Sequence, residues 1–87
     1  MTRYTVTIER SAAKALARAE RRDRRRIEDA IDALADDPRP HGAIHLTGVD
    51  AYRVRVGDWR VVYTVPDAVR VVTVTNVGHR RSIYREV

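Results

Sequence analysis

The stretch Tyr52-Arg53-Val54-Arg55-Val56-Gly57-Asp58-Trp59-Arg60-Val61-Val62-Tyr63 decides the fold. Its alternation of apolar and basic residues has the period of a half-buried strand. Gly57-Asp58 reads as a two-residue hairpin loop, with glycine first as a type II′ turn demands. Such a loop sets the register. Val56 then faces Trp59, Arg55 faces Arg60, Val54 faces Val61 and Arg53 faces Val62. Side chains alternate across a sheet, so Tyr52, Val54, Val56, Trp59, Val61 and Tyr63 share one face. That face suits a layer of covering helices. Arg53, Arg55 and Arg60 share the other. Directly opposed like charges are destabilising, since their Cβ atoms lie only about 4.5–5.5 Å apart. One reading of the three arginines is a solvated face, where salt screens the repulsion. The other is a site for phosphate or carboxylate, and the lack of any acid among them favours it.

Outward from the hairpin, residues 1–9 alternate again. Tyr4, Val6 and Ile8 are expected on one face, with Arg3, Thr5, Thr7 and Glu9 on the other. Ser11 reads as the N-cap of an alanine-rich helix over 12–19, with Leu16 as its large apolar residue. Ile27, Ile31 and Leu34 form a second helical stripe, which should stop before Pro38. The run Arg21-Arg22-Asp23-Arg24-Arg25-Arg26 lies between the stripes, and the helix link is expected near Arg22-Asp23. The run reads either as a nucleic-acid arm or as a solvated junction, with Arg24 and Arg25 reaching Glu28 and Asp29. Residues 38–50, with Gly42 and Gly48, read as loop. After a turn at Pro66-Asp67, residues 69–77 form a strand apolar on both faces, which predicts a central position. Gly78 should end it. The order is β-α-α-β-β-β: an α+β architecture with an N-terminal strand, a helical hairpin and a three-stranded antiparallel meander, helices on one sheet face.

Composition bounds the function. The chain has 87 residues, which predicts a single domain over 1–87. Seventeen basic residues face twelve acidic ones, a formal charge of +5, and every cation but Lys14 is an arginine. The guanidinium is a planar fork that bonds two phosphate oxygens at once. A polyanionic partner is expected, either nucleic acid or an acidic protein. There is no cysteine. His41 and His45 are set apart by Pro40 and Gly42 from a shared helical face, so no metal site and no cofactor are expected. No Walker A loop, GxGxxG or Ser-His-Asp arrangement is present. No apolar run is long enough to span a bilayer and no secretory leader is evident, so no membrane association and a cytoplasmic location are expected.

The C-terminal segment adds Arg80, Arg81 and Arg85 directly after the last strand, with Tyr84. If helical, it puts Arg80 and Tyr84 on one face. Tyr84 then either offers a ring on which a base stacks, or seals the edge of the core with Ile83.

These residues carry a family resemblance. Gly42, Leu46 and Gly48, then the hairpin over 52–63, then Val77-Gly78-His79-Arg80-Arg81-Ser82-Ile83-Tyr84-Arg85, resemble the RelE/ParE toxin superfamily over the whole chain. The resemblance implies the microbial ribonuclease-like RelE fold and a toxin of a type II toxin–antitoxin module. For the RelE branch it implies an mRNA interferase, a metal-independent endoribonuclease that cuts mRNA on the ribosome and inhibits translation. By the same resemblance the catalytic set is Arg53, Arg55, Arg60, Arg80 and Tyr84, and the RNA-binding set is Arg53, Arg55, Arg81 and Arg85. The implied partners are an acidic RelB-like antitoxin, the ribosome with its mRNA, and operator DNA only as the toxin–antitoxin complex. Arg53 and Arg55 stand where the best-known RelE relatives often have lysine, and the segment from Arg80 to Tyr84 is shorter than theirs. Two other readings stay open: a DNA gyrase inhibitor of the ParE branch, and a nucleic-acid-binding module without catalysis.

Overall fold

The computed structural model describes residues 3–66 and 68–79. Along the chain run β1 (Thr5–Ile8), α1 (Arg10–Arg18), α2 (Arg21–Ala33), β2 (Ile44–His45), β3 (Tyr52–Val56), β4 (Trp59–Thr64) and β5 (Val71–His79). They form one five-stranded sheet in the order β1-β5-β4-β3-β2. The expected α+β class, meander and helical hairpin are all present. The two-residue β2 is an addition: Ile44 and His45 pair with Arg53 and Tyr52 inside what reads as loop. Two residues are too few for a period-two signal. As expected, β5 lies inside the sheet, antiparallel to β4 on one side and parallel to β1 on the other.

The helices cover one sheet face. Ala12 and Leu16 from α1, Ile27, Ile31 and Leu34 from α2 and its exit, and Val61, Tyr63, Val65, Val72, Val74 and Val77 from the sheet side form a continuous buried cluster. Each fully buried aliphatic side chain contributes about 1.5–3 kcal/mol, so this layer holds the hairpin in place. Trp59, Val54, Val56 and Tyr52 pack on its margin, half-buried. The double-sided pattern of β5 has a local cause. The register slips between Val62 and Tyr63, so Val62 pairs with Asn76 while Tyr63 pairs with Val74. The extra residue, Thr75, bonds its hydroxyl to the Val62 carbonyl at 3.3 Å. This bulge switches the core-facing parity, so Val72, Val74 and Val77 are all buried.

Four local expectations are corrected. Ser11 is not the N-cap; Glu9 is, without a side-chain cap bond. The β1–β5 ladder continues until the Glu9 N–H reaches the Val74 carbonyl at 2.9 Å, so the chain turns at once into helix. The helix link is Ala19-Glu20, both extended, rather than Arg22-Asp23. Arginine is a good helix former and Asp23 complements the positive helix start, so the arginine run belongs to the first turns of α2. Ile8 does not share the burial of Tyr4 and Val6; it is 39% exposed. It borders a groove of about 390 Å³ with Leu16 and Ile31, rimmed by Arg25, Glu28, Asp29 and Asp32. Gly78 does not end β5, which runs on to His79.

Candidate anion site on the open sheet face

The β3–β4 hairpin has the expected register at all five pairs, from Tyr52 with Tyr63 to Val56 with Trp59. Gly57 takes the left-handed φ of 60° that opens the turn, and Asp58 does not share it, as a type II′ turn requires. The Arg26 guanidinium from α2 lies 3.3 Å from where a Cβ on Gly57 would sit. A helix side chain thus rests on the hairpin tip, while the positive φ is what calls for glycine there.

The register brings Arg53, Arg55 and Arg60 together on the face that the helices leave open. Arg55 and Arg60 are directly paired, and Arg60 is paired on its other side with Gly78. In the next row Arg53 pairs with Val62, and Val62 with Asn76. On this face the three arginines stand with the half-buried Val62, the exposed Asn76 and the buried Gly78. Asn76 carries no signal in the sequence, and Gly78 reads there only as a strand end and as part of the family motif. Their membership depends on the bulge at Thr75, and no sequence signal announces it.

Neither β3, β4 nor the described part of β5 holds an acid. Arg55 is exposed; Arg53 and Arg60 are half-buried. Two unit charges 4 Å apart repel by about 1 kcal/mol in water and about 4 kcal/mol at a protein surface. The Nε of Arg53 is also buried without an acceptor, an uncompensated cost of about 1–3 kcal/mol. Packing alone does not select such a cluster. It provides positive charge and forked N–H donors for an anion with several oxygens, such as a phosphodiester. Arg80, Arg81, Tyr84 and Arg85 lie outside the described residues.

The edge of the hairpin is tied down by aromatic contacts. Tyr52 and Tyr63 stack at 5.9 Å, and His45 meets Tyr52 edge-on at 5.0 Å. The Arg39 Nε donates to the Tyr52 hydroxyl at 3.0 Å while its guanidinium sits 5.2 Å from the ring centroid. The buried Tyr63 hydroxyl donates to the Pro38 carbonyl at 2.8 Å. Burial pushes the Tyr63 phenol up to about 12, with Tyr52 adding to the shift, Arg39 opposing it and Asp37 raising it further. At the other end, Trp59 and His79 meet edge-on at 5.4 Å.

The fold that carries these residues has known counterparts. The family model described as the ParE toxin of the type II toxin–antitoxin system parDE matches residues 6–84. Among solved structures, the archaeal RelE–RelB complex of Pyrococcus horikoshii is similar at 32% identity and a TM-score of 0.77, covering 92% of this chain and 97% of that one. A mutant of the E. coli toxin RelE in the free state is similar at 25% identity and a TM-score of 0.77, covering 97% and 93%. The RelBE2 toxin–antitoxin complex of Mycobacterium tuberculosis shares the fold at 22% identity and a TM-score of 0.80, covering 90% and 99%. No curated protein matches the chain by sequence.

Proposed function

The chain belongs to the ParE toxin family of type II toxin–antitoxin systems, within the RelE/ParE superfamily, and from that premise we propose that it is a ribosome-dependent endoribonuclease cleaving mRNA. The observation that carries this reading is the opposed Arg55–Arg60 pair with Arg53 beside it, on a sheet face without an acid among the described residues of its strands. In the proposed reaction a ribose 2′-oxygen attacks the adjacent phosphorus. The bond to the 5′-oxygen of the next nucleotide breaks. A 2′,3′-cyclic phosphate and a 5′-hydroxyl result: the 2′ proton leaves to a base, and the departing 5′-oxygen takes a proton delivered through Arg80 from solvent.

Each residue has a role in this reading. Arg53, Arg55 and Arg60 stabilise the extra negative charge of the phosphorane, gathered on one side of the hairpin by its register. Arg80 stabilises the leaving 5′-oxygen, and Tyr84 stacks on a base. Arg81 and Arg85 hold the RNA backbone together with Arg53 and Arg55. A guanidinium is a poor base near neutrality because its pKa lies above about 12. Base duty therefore falls to the ribosome or the RNA, and the reaction runs without metal.

The neutralising partner is an acidic, RelB-like antitoxin segment that folds on the basic surface. The toxin–antitoxin complexes from Pyrococcus horikoshii and Mycobacterium tuberculosis are the precedents. Operator DNA is bound only by such a complex, and the toxin works in the cytoplasm. A second reading, gyrase inhibition, is favoured by the ParE family model.

One experiment separates the two. The chain is added to a translating extract and mRNA ends are mapped. Cleavage within translated codons, absent from untranslated transcripts, is the expected result. Intact mRNA with trapped gyrase–DNA complexes would replace this reading with the ParE one.

A further inference from the structure

The arginine face is not the only cationic surface. Charge is segregated along the helical hairpin. Residues 10–26 hold eight cations against Glu20 and Asp23, whereas residues 27–37 hold five acids and no cation. Within α1 there is no acid at all. Arg10, Lys14 and Arg18 recur at i, i+4 and i+8, which aligns them along one side of the helix about 6 Å apart. The opposite side carries the buried Ala12, Leu16 and Ala19. All three cations are exposed, and none forms an ion pair among the described residues. Arg21 and Arg22, at the start of α2, are exposed as well. Glu9 and Glu20 stand only at the two ends of α1.

Charge of one sign set on a rigid helix is matched by a partner whose opposite charge is equally regular. A duplex nucleic-acid backbone has that regularity. The exposed Ala13 and Ala17 beside the line present no bulk that would hold a backbone away. We propose that the outer face of α1, through Arg10, Lys14 and Arg18, is a second nucleic-acid surface that grips the phosphate backbone of structured RNA without reading its sequence. It lies on the helix layer, whereas Arg53, Arg55 and Arg60 lie on the sheet face that the helices leave open. One molecule thus holds a folded RNA at its back while its sheet face stays available to a single strand.

The test uses the full chain and a short RNA hairpin carrying 2′-O-methyl groups throughout. That probe has no free 2′-hydroxyl, so binding is read whether or not the ribonuclease reading holds. Affinity is measured against salt concentration for the parent, for Lys14→Gln and for the triple variant Arg10→Gln/Lys14→Gln/Arg18→Gln. Glutamine keeps helix propensity close to that of lysine and arginine, and circular dichroism checks the fold. Each phosphate contact contributes about 0.9 to the slope of log affinity against log salt on a duplex. The triple variant should lose about 2–3 from that slope, and Lys14→Gln about one third as much. An unchanged slope and affinity in folded variants overturns the proposal. So does an unchanged RNA slope accompanied by weaker binding of the antitoxin copurified from the same operon, which would assign the surface to a protein.

Discussion

The two faces of the β3–β4 hairpin are built from the same strands to opposite ends. On the helix side, Val61 and Tyr63 are fully buried, with Val54, Val56 and Trp59 packed around them. Every contact there lowers the free energy of folding. On the open side, Arg55 faces Arg60, and Arg53 keeps a buried Nε without an acceptor. The opposed charges and the unpartnered Arg53 Nε each cost stability. One face explains why the hairpin forms, and the other explains what it is formed to present. A local conflict with folding inside an otherwise consistent structure marks a functional surface.

The largest effects test whether the faces separate. Ile27 is fully buried beneath the sheet. Ile27→Ala should cost about 2–5 kcal/mol of stability, read by denaturant titration. Arg60→Ala should instead lose about 10²–10³ in single-turnover cleavage on programmed ribosomes, the usual cost of removing one fixed transition-state contact. The assay is run well below the melting point of the variant, so that unfolding does not mimic the loss. Cleavage at the parental rate by Arg60→Ala would end the phosphate-site reading.

A smaller effect lies at the seam between the helix-side core and residue 38. Tyr63 ionises at about 12 in the folded chain, above its unfolded value near 10, because burial disfavours the phenolate. Stability is therefore complete below pH 10 and falls as pH rises from 10 towards 12, by about 3 kcal/mol. Tyr63→Phe removes that alkaline fall. It also leaves the Pro38 carbonyl without its 2.8 Å donor, which costs about 1–3 kcal/mol at neutral pH. Melting curves at pH 7 and pH 11 for both proteins check the two signs together. An equal alkaline loss in Tyr63→Phe would place the titration elsewhere.

How much was legible follows from how local each determinant is. The hairpin register could be read because a two-residue turn with Gly57 first leaves one pairing, and a strict period of two then assigns every side chain. Three of the proposed site residues were placed on one face by that rule alone. What escaped depends on distant parts of the chain. β2 exists because residues 44–45 reach the edge of β3. Asn76 and Gly78 join the open face only through the bulge at Thr75. Ser11 has the chemistry of a cap, but the ladder to Val74 places Glu9 at the helix start. The arginine run reads as a junction from its charge alone, whereas the helix propensity of arginine puts it in the first turns of α2.

The smallest effect is the most direct reading of the comparison. Arg55 is exposed, directly opposite Arg60, and makes no ion pair among the described residues. Replacing it by threonine keeps a β-branched residue suited to a strand and removes one of two opposed charges. A directly opposed pair contributes about 0.2–1 kcal/mol, and like charges make that contribution unfavourable. Arg55→Thr should therefore raise stability by up to about 1 kcal/mol, or roughly 4–8 °C in melting temperature for a domain of this size. The gain should shrink in high salt, because screening already weakens the repulsion in the parent. Cleavage should fall in the same variant, so that stability and activity move in opposite directions. A lower melting temperature in Arg55→Thr would show Arg55 to be held by favourable contacts. The open face would then be part of what holds the hairpin together, and the contrast between its two sides would collapse.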